Sequence, residues 1–240
     1  MNYDPLAELY ELQYATYRDD LEFYTRLAQD YGGPILELGA GTGRVTRALA
    51  RTAEVVALEP SLEMRTKGAA HTEGLPVRWV DGDMRTLSLR RKFPLIVAPF
   101  NVLMHLYALD DQDAALVGVK KHLAKGGRFA FDLYNPAHIG PPRLLQHEGS
   151  YETEKGAVEV FIRQEHYPEA QMLLTHYYLD HTDLKGRLSR QTRTLEQRYY
   201  TRYELERWLR SAGFSYRLFG GFYGEPFRED APTLAFVAWL

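Results

Sequence analysis

From residue 35 to residue 134, short apolar runs alternate with stretches whose apolar residues return every three or four positions. Runs at 35–38, 55–59 and 94–100 are almost continuously apolar, as strands covered on both faces must be, and runs at 77–80 and 128–134 fall on the same beat. Between them the spacing predicts a helix through Val45, Ala48 and Leu49, a second from Ser61, and a third opening at the acidic 110–113 run and closing at Gly126-Gly127. Upstream, Asp4-Pro5 opens a helix carrying Leu6 and Leu9. Another starts near Asp20, buries Leu21, Tyr24, Leu27 and Ala28, and stops at Gly32-Gly33. Strands alternating with helices predict an α/β chain with a doubly wound, mostly parallel sheet.

The period changes after Pro141-Pro142. From 150 to 200 the pattern is two-residue alternation, as in Val158-Glu159-Val160-Phe161-Ile162 and in the 173–178 run, broken at Tyr167-Pro168-Glu169 and Lys185-Gly186. An inserted antiparallel β region follows from this. Thr201 and Glu204 then form a capping box for a helix carrying Leu205, Trp208 and Leu209 and ending at Gly213, before two last strands at 214–221 and 233–239. The expected division is a helical cap at 1–33, a core at 34–140 and 201–240, and a β-rich insert at 141–200 that serves as substrate cap or dimer contact.

Composition narrows the function classes. The 240 residues are 45% hydrophobic and 25% charged, enough for one large domain or one domain with an inserted piece. Net charge is −3 and the basic residues are scattered, so a nucleic-acid partner is not expected. No apolar run approaches the roughly 20 residues that span a bilayer, and Met-Asn-Tyr-Asp-Pro lacks the features of a signal peptide. A cytoplasmic protein without membrane contact is the expectation. There is no cysteine, and the eight histidines show neither H-x-x-x-H nor H-E-x-x-H spacing, so no metal is expected.

The chemistry concentrates where the first strand breaks into Gly39, Gly41 and Gly43 before a helix. Such a loop lets backbone N–H groups approach a polar ligand where a Cβ would clash. Neither glycine frame is a dinucleotide fingerprint, since the closing positions are Arg44 and Thr46, and Arg44-Val45 does not complete a Walker loop. At the carboxyl ends of the following strands stand Glu59, Asp83 and Phe100-Asn101, with His105 one turn on. An acid at Glu59 can accept both hydroxyls of a ribose. Asp83 can accept an exocyclic amine or simply cap a helix, with Asp81 its weaker rival.

On these residues the chain resembles the class I S-adenosylmethionine-dependent methyltransferase family. Ile-Leu-Glu-Leu-Gly-Ala-Gly-Thr-Gly is similar to its first motif, Val-Val-Ala-Leu-Glu-Pro-Ser-Leu-Glu-Met to its second and Val-Asp-Gly-Asp-Met-Arg to its third, over about residues 31 to 135. The resemblance implies a Rossmann-like sheet with an antiparallel last strand. It also implies S-adenosyl-L-methionine as cofactor and S-adenosyl-L-homocysteine as product. It places Glu37, Gly39, Ala40, Gly41 and Gly43 on the methionine part, Glu59 with Pro60 and Met64 of the second motif on the ribose side, and Asp83 with Met84 on the adenine.

More narrowly, the tyrosines at 10, 14 and 17, the Asn101–His105 tail and the β-rich insert are similar to small-molecule N-methyltransferases, including those acting on amino sugars. That likeness implies His105 facing the methyl group as general base, Tyr14 orienting the acceptor, and Tyr17 and Phe100 against the cofactor. Arg18 pairs with the cofactor carboxylate or with Asp19. His105 as a packed histidine and the tyrosines as plain packing stay open. Ala98-Pro99-Phe100-Asn101 departs from the Asn/Asp-Pro-Pro-Tyr/Phe tetrad of enzymes that methylate amino groups of nucleic acids. The implied reaction is in-line methyl transfer to a nitrogen or oxygen of a small molecule, by a monomer or homodimer. An RNA or protein methyltransferase and a non-catalytic cofactor-binding module are the alternatives.

Overall fold

Strands with apolar residues on both faces must be covered on both faces, and the sheet topology follows from that requirement. The computed structural model describes residues 4–240. A 3-10 turn (Asp4–Leu6) leads into α1 (Ala7–Tyr14), followed by α2 (Leu21–Tyr31), β1 (Ile35–Leu38), α3 (Arg44–Leu49), β2 (Val55–Leu58), α4 (Leu62–His71) and β3 (Val77–Val80). Then come β4 (Phe93–Ala98), α5 (Leu109–His122) and β5 (Leu123–Tyr134). The chain closes with α6 (Arg202–Ser211), β10 (Ser215–Phe219) and β11 (Thr233–Trp239). Strand order is β10-β11-β5-β4-β1-β2-β3. The five strands from β1 to β5 pair in parallel, with Ile35 opposite both Val55 and Leu95, whereas β11 runs antiparallel to β5 and to β10. The expected doubly wound sheet with an antiparallel last strand is therefore the observed one.

The predicted caps are mostly in place. Ser61 accepts a hydrogen bond from Met64 N at the start of α4, Thr201 and Glu204 form the reciprocal box on α6, and Gly32 ends α2. One boundary differs. Helix α5 ends at His122 instead of running to Gly126-Gly127, because Leu123 is already extended and pairs with Phe93 as the first residue of β5. The two glycines lie inside β5, where pairing with β4 jumps from Phe93↔Leu123 to Leu95↔Arg128. A Cβ on Gly127 would stand 2.8 Å from the Pro94 carbonyl, so this irregularity in the pairing requires a glycine.

One face of the sheet is filled by α2, with Tyr24, Leu27 and Ala28 buried against Ile35, Leu49, Leu95 and Val97. Elsewhere Phe129, Phe131 and Phe236 are fully buried; Phe131 and Phe236 stack at 5.0 Å and Trp208 of α6 meets Phe131 at 72°. No helix among the described residues is long and apolar enough to cross a membrane.

Residues Ile139–Tyr199 form a second compact unit. Within it β6 (Arg143–Thr153), β7 (Gly156–Tyr167), β8 (Met172–Asp183) and β9 (Leu188–Arg198) make an antiparallel meander. The alternation read at 158–162 is the alternation seen, with Val158, Val160 and Ile162 buried.

Truncating Phe236 to alanine leaves a cavity beside Phe131. The expected loss is about 3–5 kcal/mol of stability, read as a lower urea midpoint with an unchanged denaturant slope.

Candidate active site

Strand order reverses at β1, which lies between β4 and β2, so the turns after β1 and β4 flank one crevice at their carboxyl ends. The glycine loop leaves β1 by folding back on β2: Gly39 N and Ala40 N both donate to Leu58 O, at 2.8 and 3.1 Å. A Cβ on Gly39 would meet Val102 Cγ2 at 2.0 Å, and φ is +65°. Gly41 has φ +56° and open space where its Cβ would be, so the loop presents bare backbone there. Its N–H donates to Glu59 Oε2 at 2.9 Å, while Ser61 N donates to Glu59 Oε1 at the same distance. Glu59 is buried, each of its oxygens held by one backbone amide, and burial pushes its carboxyl above the usual range.

Beneath the loop lies a buried ion pair that sequence reading did not find. Arg44 donates from Nη1 and Nη2 to the two oxygens of Asp20, at 2.5 and 2.6 Å, and both side chains are almost wholly enclosed. The guanidinium carbon lies 5.0 Å from the ring centroids of both Tyr17 and Phe100. Glu37 is fully enclosed nearby. Burial lifts its carboxyl to about 8, against the opposing pull of the Thr46 hydroxyl and Arg44, and its Oε2 has no hydrogen-bond partner.

The turn after β4 is shaped by another buried acid. Asp132 on β5 accepts from Phe100 N at 2.8 Å and from the Tyr24 hydroxyl at 2.5 Å, and its own carbonyl accepts from Asn101 N. Burial pushes its carboxyl up to about 6, with the Tyr24 and Phe100 hydrogen bonds opposing. Phe100 and Asn101 are consecutive left-handed residues, at φ +58° and +63°. This backbone puts the Phe100 ring among tyrosines: 4.8 Å from Tyr14, 5.4 Å from Tyr17 and 5.9 Å from Tyr10. The signal available in the sequence was one acid inside the apolar 128–134 run.

The remaining candidates are placed as follows. Tyr14 is the last residue of α1 and His105 the last of a 3-10 turn, Val102–His105, that follows Asn101; both are half-buried. Met64 is buried at the start of α4 and Pro60 is exposed before it. Arg18 spends Nη1 on the Ala15 and Tyr17 carbonyls, not on Asp19. Asp83 caps the 3-10 turn Met84–Thr86 through Arg85 N and pairs with the Arg85 guanidinium at 2.6 Å, which pulls its carboxyl below the usual range. Asp81 is exposed and paired with Arg65. The N-terminal segment is tied down by Asp4, which accepts from Ser61 Oγ and Glu63 N, and by Glu11, paired with Lys67.

These residues fit a cationic, polyhydroxylated cofactor. Glu37 offers an unpartnered buried oxygen, and Glu59 keeps lone pairs free beside open backbone at Gly41. No group of three His, Asp or Glu side chains able to hold a metal occurs among the described residues.

Fold and site together resemble those of the class I S-adenosylmethionine-dependent methyltransferases. Residues 35–127 match a family model for a methyltransferase domain. An uncharacterized methyltransferase of Geobacillus kaustophilus is 33% identical over 140 residues, covering 54% of this chain and 60% of the relative. The match thus spans less than two thirds of that curated relative. Among solved structures, the CcbJ methyltransferase from Streptomyces caelestis superposes with a TM-score of 0.82 at 23% identity, over 97% of this chain and 95% of the other. CalS10, an amino pentose methyltransferase from Micromonospora echinaspora solved with S-adenosylmethionine bound, gives 0.74 at 22% identity over 91% and 88%. At these identities the likeness is one of fold.

The raised carboxyl of Glu37 fixes the sign of a pH effect. The folded protein keeps a proton there that the unfolded chain releases, so stability is lost as pH rises from the unfolded value of 4.5 toward about 8, and levels off above. Melting temperature of the ligand-free protein should fall across that window, and Glu37→Gln should flatten the part above pH 6, where Asp132 has already titrated.

Proposed function

We propose that this protein transfers a methyl group from S-adenosylmethionine, by in-line displacement, to a nitrogen or oxygen of a small molecule. The observation that carries this reading is the crevice at the strand reversal, with bare glycine backbone and Glu59 on one side and the aromatic group of Tyr10, Tyr14, Tyr17 and Phe100 on the other. S-adenosylmethionine supplies, when bound, a methyl group already activated by its sulfonium. The protein's part is then alignment and exclusion of water, effects that reach about 7–11 kcal/mol in favourable cases.

In this reading Glu59 accepts the ribose hydroxyls and Glu37, giving up its proton as the cation arrives, the cationic amino end. The four rings exclude water from the reacting centre. The Tyr14 hydroxyl orients the acceptor, and an imidazole nitrogen of His105 takes the proton that an ammonium or hydroxyl acceptor must lose. Imidazole, which can both take and give a proton, is the side chain suited to that step. The amino pentose activity named for CalS10 supports an amino sugar as the acceptor class. The scattered basic residues support a small molecule over RNA, and a cytoplasmic location belongs to the same reading.

S-adenosylmethionine or S-adenosylhomocysteine at a hundred times its Kd should stabilise the fold by about 2.7 kcal/mol, a rise in melting temperature of roughly 5–10 °C. No shift at saturation would remove the cofactor assignment. With labelled cofactor and a metabolite extract the label should appear in small products; label confined to RNA or protein would overturn the acceptor class. His105→Ala should lower kcat by about 10²–10⁴-fold while leaving cofactor affinity intact, and full turnover would end its role as base.

A further inference from the structure

Helix α2 has a second use for another of its faces. Asp20 and Tyr24 serve the crevice, but the face running from Phe23 to Tyr31, with parts of β10 and β11 and the middle of β5, lines a separate cavity of about 390 Å³. That size lies in the range of small-molecule sites, roughly 300–1,000 Å³. None of the residues lining it belongs to the glycine loop, the acids of the crevice or the tyrosine group.

The lining has a definite chemistry. Its apolar part is mostly aromatic, with Leu27 and Val237 beside the rings: Phe23 packs edge-on against Phe219 and tilted against Phe222. Its polar part is three guanidinium groups, Arg26, Arg128 and Arg217, against the single carboxylate of Asp30. Arg128 lies between two rings, 4.9 Å from the Tyr31 centroid and 5.0 Å from that of Trp239, and is anchored through Nη1 to the Gly126 and Gly127 carbonyls. Its plane is thus fixed before any ligand arrives, as a carboxylate-reading fork requires. Arg26 is already paired with Glu22. Arg217 makes no ion pair among the described residues, so positive charge stands uncompensated over aromatic walls.

We propose that this cavity is a second binding site, for a planar aromatic monocarboxylate: the ring lies against Trp239 and the phenylalanines, and the carboxylate is taken by Arg217 and Arg128. The reading is independent of methyl transfer, since it uses no residue of the crevice.

The three tryptophans make the test direct. Trp239 lines the cavity, while Trp79 packs where a Cβ on Gly43 would meet it at 3.3 Å and so reports the glycine loop. The full chain, labelled with ¹⁵N, is titrated with 2-naphthoate while the indole N–H signals are followed, Trp239 being assigned through Trp239→Phe. The Trp239 signal should move saturably and Trp79 should not. The neutral analogue 2-naphthylmethanol should bind about tenfold or more weakly, and Arg217→Ala, exposed on β10 and expected to keep its melting temperature, should weaken naphthoate to a similar degree. Three outcomes overturn the site: no saturable movement of Trp239 up to millimolar naphthoate, equal binding of the alcohol, or unchanged affinity in Arg217→Ala. Movement of Trp79 that S-adenosylhomocysteine suppresses also overturns it, because naphthoate would then occupy the crevice.

Discussion

The buried Asp20–Arg44 pair is the interaction on which the crevice depends. Removing two charges from water costs several kcal/mol per ion, and only close geometry with further partners offsets it. Here the fork is bidentate, at 2.5 and 2.6 Å, and the guanidinium faces are covered by Tyr17 and Phe100 instead of water. One residue comes from the start of α2 and the other from the first position of α3, directly after the glycine loop. The pair therefore ties the segment bearing the tyrosines to the loop. Breaking it by removing one partner would strand the other charge inside, which is the costly case.

A second constraint follows from where that pair puts the aromatic group. Phe100 must reach Arg44 and the tyrosines, and it does so from a left-handed backbone that asparagine tolerates but phenylalanine resists. Strain of this kind costs about 1–3 kcal/mol per residue and persists only where surrounding bonds over-determine the turn. Asp132 supplies them: its carboxylate takes Phe100 N and its carbonyl takes Asn101 N, while Asn101 Oδ1 accepts from Tyr134 N at 2.6 Å. Two residues of β5 thus hold one ring in place.

What was legible in the sequence and what was not separates by range. Strand and helix periods, the Thr201–Glu204 box, the Ser61 cap and an acid just past β2 are local patterns whose physics is complete within a few residues. The partners of Arg44 and Asp132 lie 24 and 32 or more residues away, and nothing local names them. Arg44 served in the sequence only to rule out a dinucleotide frame and a Walker loop; in the fold it is the cation paired beside the crevice. Arg18, the neighbouring candidate, instead serves its own turn. The end of α5 was misread for a related reason. Gly126-Gly127 is good punctuation for a helix, but the close approach of the Pro94 carbonyl demands glycine in a strand just as strongly.

The two acids expected to grip the nucleoside part also differ in a way that bears on the proposed reaction. Glu59 is held by amides of the loop and of the α4 start, donors that cannot swing away, so its remaining lone pairs point from a fixed position. Asp83 is held largely by the Arg85 side chain, which also reaches Asp111 and is well exposed. Its carboxylate can be shared or released by rotating one flexible cation. On the proposed reading, the ribose contact is preorganised and the adenine contact adjustable. For the proposed in-line transfer that is the useful asymmetry, because the ribose is bonded closer to the sulfonium than the adenine is, and small displacements of the methyl group weigh most on rate.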